Sequence, residues 1–174
     1  MIIAVSGVPG TGKTTFAKAL AKELEFKYID VKKIIKDNCL YDSYDKKDKC
    51  FIVDTKKLND FLIKDIIKKN KKENISIILD SHLSHYIPKK YIDLCIITKC
   101  DLKELNKRLK KRRYSKEKIR DNLDSEIFNI CYEEAKTSKH NIFVIITTKG
   151  IKKETLSQLR REAERIEPGS RRTK

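Results

Sequence analysis

The strongest chemical signal lies near the start of the chain. Gly7-Val8-Pro9-Gly10-Thr11-Gly12-Lys13-Thr14-Thr15 fits G-x-x-x-x-G-K-[ST], directly after an apolar run and directly before an amphipathic stretch. Small residues such as Gly10 and Gly12 let successive backbone N–H groups turn inward around phosphate oxygens, and a helix starting here aims its positive end at the same charge. Lys13 adds a full cation, Thr14 offers a hydroxyl to Mg²⁺, and Thr15 reaches an α-phosphate from the first helical turn. The competing reading is a glycine-rich turn that only joins strand to helix. The strand–loop–helix context favours the phosphate loop.

Asp80 ends the apolar run Ile75-Ser76-Ile77-Ile78-Leu79. A carboxylate there without a cation would be desolvated for nothing, so it reads as the acid that holds Mg²⁺ directly or through water. The alternative is an aspartate that caps the turn after the strand. His82 follows two residues on, and its ordinary pKa suits it to placing an attacking water or an acceptor phosphate. A surface-loop histidine is the other reading, and His85 is given no role. Arg108 and Arg112 stand at i and i+4 near the end of a predicted helix, where a guanidinium could meet charge building on a moving phosphoryl group or stack on adenine. Against this stands a plain solvated basic face.

These groups need a frame. Apolar runs at Ile2–Ser6, Phe26–Ile29, Ile75–Leu79, Tyr91–Thr98 and Asn141–Thr147 alternate with helical patterns at Thr14–Glu25, Val31–Lys36, Thr55–Asn70, Leu102–Lys111, Lys116–Ala135 and Glu154–Ile166. That alternation predicts an α/β fold of the P-loop NTPase type: a five-stranded parallel sheet with helices on both faces, in one domain over residues 1–167. Asp30 is the expected N-cap of the second helix. Residues 38–51 lose periodicity and are expected to form a mobile loop. Residues 168–174 are read as a disordered tail or a cloning remnant.

The 174 residues suffice for one domain with a core, and 39% hydrophobic content in regular blocks excludes general disorder. Lys plus Arg number 41 against 25 Asp plus Glu, a net charge of +16, more than nucleotide binding requires. Such a balance suits RNA or ribonucleoprotein surroundings, while a composition rich in Lys and Ile also arises from genome bias or a hot habitat. No apolar run is long enough to cross a bilayer, and a cytoplasmic protein with no membrane partner is expected. Five cysteines without a C-x-x-C pair read as reduced thiols.

Beyond these readings, the chain resembles one family: the atypical adenylate kinases that double as small-subunit ribosome assembly NTPases, called adenylate kinase isoenzyme six in eukaryotes. The likeness rests on Gly7–Thr15, Leu40-Tyr41-Asp42-Ser43-Tyr44-Asp45, Ile52-Val53-Asp54, Asp80-Ser81-His82, the block Lys107 to Ile119, Glu126-Ile127-Phe128 and Glu133-Glu134-Ala135. The resemblance implies ATP and AMP as substrates with Mg²⁺, an accompanying ATPase, and a role in maturing the small-subunit rRNA 3′ end with a platform ribosomal protein as partner. It implies a nucleotide-switched assembly ATPase as the alternative, with AMP kinase activity incidental. It makes Gly10, Gly12, Lys13, Thr14 and Thr15 the ATP phosphate loop, Asp80 the metal acid, His82 the catalytic-site histidine and Arg112 the lid arginine on ATP. Residues 30–53 become the monophosphate segment and residues 111–121 a short lid, while Lys149 in the turn Thr148-Lys149-Gly150 lies near adenine. Arg113 stands where the family usually has Gly, and Lys36 and Lys99 where relatives often carry Arg.

Overall fold

In the computed structural model, which describes residues 1–48 and 50–166, five short apolar segments pair side by side. They are β1 (Ile2–Ser6), β2 (Lys27–Asp30), β5 (Ile77–Asp80), β6 (Leu94–Lys99) and β7 (Ile142–Ile146), all parallel, in the order β2-β5-β1-β6-β7. Between β2 and β5, β3 (Ser43–Asp45) and β4 (Cys50–Ile52) form an antiparallel hairpin of their own. The helices are α1 (Lys13–Leu24), α2 (Val31–Asp37), α3 (Thr55–Phe61), α4 (Lys68–Lys72), α5 (Leu102–Lys111), α6 (Lys116–Ile127), α7 (Ile130–Thr137) and α8 (Lys153–Ile166).

A parallel sheet needs cover on both faces, and the side chains supply it in two layers. Ile3, Val5, Ile78 and Ile96 point one way, against Phe16, Leu20 and Leu159 of α1 and α8. Ile2, Ala4, Ile77, Leu79 and Ile97 point the other way, against Val31, Leu58, Leu62 and Ala135. β1 is central, and its register sets Val5 beside Asp80 and Ser6 beside Ile97. The chain leaves β1 toward β2 on one side, and β6 lies on the other. This places a crevice at the carboxyl ends of the central strands, where open α/β sheets bind ligands.

Capping fixes the helix starts. Asp30 accepts the N–H of Lys33 as its sequence position implies, and Asp54, Asp101 and Ser115 cap α3, α5 and α6 in the same way. Three expectations change. The segment 38–51 is not a featureless loop: Tyr44 pairs with Phe51 across the hairpin, and the Phe51 ring lies 4.6 Å from Tyr41 and 5.3 Å from Tyr44. The helix expected over Lys116–Ala135 is broken, because Asn129 takes φ 54 and redirects the chain into α7. The helix expected over Thr55–Asn70 passes through a π-helical stretch at Leu62–Ile67. The tail 168–174 lies outside the described residues.

Candidate active site

The loop after β1 is built for close approach. Gly10 has φ +97, and a Cβ placed on it would stand 2.8 Å from Leu105 Cδ1 and 3.1 Å from Leu109 Cδ2, both buried side chains of α5. Gly7 is equally constrained, with the Thr98 carbonyl 2.5 Å from where its Cβ would be. Threonines brace the loop from within: Thr11 Oγ1 lies 2.8 Å from the Val8 carbonyl and 2.7 Å from Thr98 Oγ1. The loop is therefore held open for a ligand by packing and hydrogen bonds that no added side chain would tolerate.

Lys13 opens α1 and donates to the Val8 carbonyl at 3.0 Å. Burial against the loop pushes its ammonium down to about 8, an effect that the Asp80 carboxylate partly offsets. Asp80, only 5% exposed, accepts the Tyr28 hydroxyl at 2.8 Å on one oxygen. Burial and this bond to Asp80 raise the Tyr28 hydroxyl well above its ordinary range, so it stays a donor. Thr14 opens onto the same cleft as Asp80, and the two offer hard oxygen ligands of the kind Mg²⁺ takes. His82 keeps its ring at the open edge of the cleft, and the surrounding walls and Lys13 bring its pKa down to about 4. At neutral pH it is an uncharged donor and acceptor.

The cleft that gathers these groups has a volume of about 400 Å³. One wall carries Gly10, Gly12, Lys13, Thr14 and Thr15, the floor carries Asp80, and His82 lies at the open edge. The facing wall is made of Asp30, Lys32 and Ile35 with Cys50, Phe51 and Val53 of the hairpin. Arg112, Tyr114 and Lys118 close the remaining side. The hairpin turn reaches that side directly: Lys47 Nζ lies 2.6 Å from Glu117 Oε2, and Lys118 Nζ donates to the Asp48 carbonyl. Ile119 and Leu123 of α6 pack on Leu105 and Leu109, beneath Val8 of the phosphate loop.

Two of the sequence-derived site residues fall elsewhere. Arg108 does not line the cleft. Its guanidinium is committed to Glu104 Oε1 at 2.9 Å and to the carbonyls of Gly10, Thr147 and Thr148 at 3.5, 3.1 and 3.2 Å, so it braces the phosphate loop against the turn after β7. The i, i+4 spacing gave it the same face as Arg112. Arg112, however, sits past the last turn of α5, where its side chain is released into the cleft. Lys149 lines a separate cavity of about 470 Å³ with Phe143, Ile145 and Ile151. Lys36 is exposed on α2 and outside the cleft, and Lys99 is engaged by Asn129. Arg113 adopts φ 56, the left-handed geometry that a glycine would take without strain.

Sequence reasoning missed Tyr28 and covered Lys32 and Phe51 only as part of the segment 30–53. Tyr28 lies on a strand and Phe51 in a stretch without periodicity, and nothing in their local pattern marks them. Asp30, two residues before Lys32, was readable as a cap and thereby placed the start of α2.

Comparison with known proteins identifies relatives along most of the chain. A family model described as an AAA domain matches residues 3–129. An adenylate kinase isoenzyme 6 homolog of Dictyostelium discoideum is 35% identical over 143 residues, covering 82% of this chain and 78% of that protein. A putative adenylate kinase of Methanocaldococcus jannaschii is 36% identical over 148 residues, covering 85% and 77%. Among solved structures, deoxyadenosine kinase from M. mycoides with bound dATP superposes with TM-score 0.52 at 19% identity over 94% of this chain and 99% of that one. A sugar kinase from a Janibacter species superposes with TM-score 0.60 at 14% identity over 94% and 92%. The structural likenesses speak for a shared fold. Since the relatives match along most of both chains and the family model spans the phosphate loop, the chain belongs to the adenylate kinase isoenzyme 6 family of P-loop phosphotransferases.

Proposed function

We propose that the protein is a cytoplasmic, Mg²⁺-dependent nucleoside monophosphate kinase that converts ATP and AMP to two ADP. The observation that carries this is the two-sided cleft, with a phosphate loop on one wall and Asp30, Lys32, Phe51 and Val53 facing it across Asp80 and His82. A hydrolase needs room for a water beyond the terminal phosphate. A second wall with a cation and an aromatic ring suits an acceptor nucleotide.

In this reading the backbone amides of the loop and Lys13 bind the donor's β- and γ-phosphates, while Thr14 and Asp80 hold Mg²⁺, which supplies charge neutralisation and alignment of the phosphates when bound. Tyr28 fixes the rotamer of Asp80 by occupying one of its oxygens. Lys32 takes the acceptor's phosphate in place of Lys36, which stands outside the cleft. His82, neutral at pH 7, orients the attacking oxygen. Arg112 approaches the transferring group from the lid side, and water is excluded as the hairpin and α6 close. Catalysis then consists of alignment and charge stabilisation. The adenine of ATP is expected beside the turn Thr148-Lys149-Gly150, which Arg108 and Thr147 tie to the phosphate loop.

A second activity is favoured by one observation. The net charge of +16 exceeds what two nucleotides need and suits ribonucleoprotein surroundings, to which the family resemblance adds an ATPase working beside rRNA and a platform ribosomal protein during small-subunit maturation. One comparison tests both: ADP formation from ATP alone, with AMP and other monophosphates, and with the ribosomal protein. Stimulation by AMP of several orders of magnitude is expected. A rate indifferent to every monophosphate and raised only by the protein would overturn the kinase reading.

A further inference from the structure

Three polar side chains outside the cleft, two of them buried, form a relay that the proposed chemistry does not use. Ser6, the last residue of β1 and fully buried, has its Oγ 2.7 Å from Nδ1 of His85. His85, 1% exposed, has its Nε2 2.9 Å from Oε2 of Glu134 on α7. Oε1 of the same carboxylate accepts the Tyr86 hydroxyl at 2.7 Å. The order Ser–His–Glu is that of a nucleophile, base and orienting acid, but Ser6 and His85 are closed to any substrate, so the relay does no hydrolysis.

Its protons can be assigned. An ionised carboxylate only accepts, and one oxygen of Glu134 already takes the Tyr86 hydroxyl, so the other takes the Nε2–H of His85. Nδ1 is then an acceptor, and Ser6 donates to it. Ser6 Oγ also lies 3.2 Å from the backbone carbonyl of His82, the second acceptor for its one proton. The segment carrying His82 is thus suspended between two anchors. Asp80 is fixed in the sheet at one end. At the other, His85 is held by Ser6, Glu134 and the Nε2 of His140, which bonds its carbonyl at 2.9 Å.

We propose that His85 is a positioning residue: by linking Glu134 to Ser6 it sets where His82 stands against the phosphate loop. The inference rests on the role proposed above for His82. Breaking the link frees the Ser6 hydroxyl proton for its other acceptor, the His82 carbonyl, and removes the Glu134 hold on the segment, and a displacement of that segment of an ångström or so would lower turnover by about tenfold or more.

The test uses His85→Leu and the conservative His85→Gln, whose amide can accept from Ser6 and donate to Glu134, each made alone and with His82→Ala. His85→Leu is expected to lower kcat at least tenfold with the KM for ATP within twofold, His85→Gln to recover most of it, and His85→Leu to add less than twofold to His82→Ala. Ring ¹⁵N NMR of the wild-type protein is expected to show the Nε2–H tautomer. Equal losses in both backgrounds, a KM for ATP rising in step with the fall in kcat, or an Nδ1–H tautomer would overturn the proposal. If His85→Leu does not fold, Ser6→Ala replaces it in the same cycle with the same expected pattern. Wild-type turnover in His82→Ala would instead refute the role of His82, and the tautomer measurement would still decide the relay.

Discussion

Lys13 gives the most direct handle on the phosphate loop. Its ammonium is held at about 8 without ligand, because burial outweighs the opposing effect of Asp80 and other nearby acidic groups. A triphosphate seated in the loop surrounds the same ammonium with negative oxygens and returns its pKa to the ordinary value of about 10.5 or above. Nucleotide binding must therefore take up protons. A group titrating near 8 is deprotonated in about 0.1 of molecules at pH 7, about 0.5 at pH 8 and about 0.9 at pH 9, and those fractions are the protons absorbed per ATP bound. Isothermal titration calorimetry in buffers of differing ionisation enthalpy measures the number directly at each pH. Lys13→Arg keeps a cation that does not titrate, so its uptake should fall close to zero over the same range while binding persists. Uptake that is flat from pH 7 to 9, or that survives in Lys13→Arg, would refute the account of the loop electrostatics.

Gly10→Ala forces a methyl group to within 2.8 Å of Leu105 and 3.1 Å of Leu109 at φ +97, so a loss of about 2 kcal/mol is expected, seen as a Tm lower by about 4–8 °C together with lost ATP binding. Lys32→Met is expected to raise the acceptor KM by about tenfold or more and to leave ATP hydrolysis without acceptor unchanged, a split that steady-state kinetics resolves. His85 and His140 both have pKa values depressed below the ordinary 6.5, chiefly by burial. In the window below 6.5 the unfolded chain binds more protons than the folded one, so stability is fully present above 6.5 and declines with acidification. Thermal melts from pH 7.5 to 4.5 should show Tm falling below 6.5, and less steeply in His140→Gln.

Much of the site was legible because its determinants are local. The loop Gly7–Thr15 declares itself through residue types at fixed offsets, and its placement between an apolar run and a helix follows from chain order alone. Asp80 was marked by a charge at the end of a buried run, and Asp30 by its cap position. The hairpin within 38–51 was not legible because it is built by Tyr44, Phe51 and Tyr41 packing across a short turn and by Lys47 and Asp48 meeting Glu117 and Lys118 of α6, contacts that leave no local periodicity. The break at Asn129 hides within an amphipathic pattern that continues across it, since one residue with positive φ leaves periodicity on either side intact.

The amino-acid sequence by itself determined the strand–helix alternation, the phosphate loop and the acid at the end of β5, since each depends on near neighbours and on side-chain chemistry. Tertiary structure alone decided which cations serve the cleft. Arg108 and Arg112 are indistinguishable by type and spacing, yet four acceptors from three elements capture the first, while the end of α5 releases the second. Tertiary structure likewise paired Ser6, His85 and Glu134, separated by 79 and 49 residues, because burial makes each group's polar atoms seek partners wherever the fold brings them.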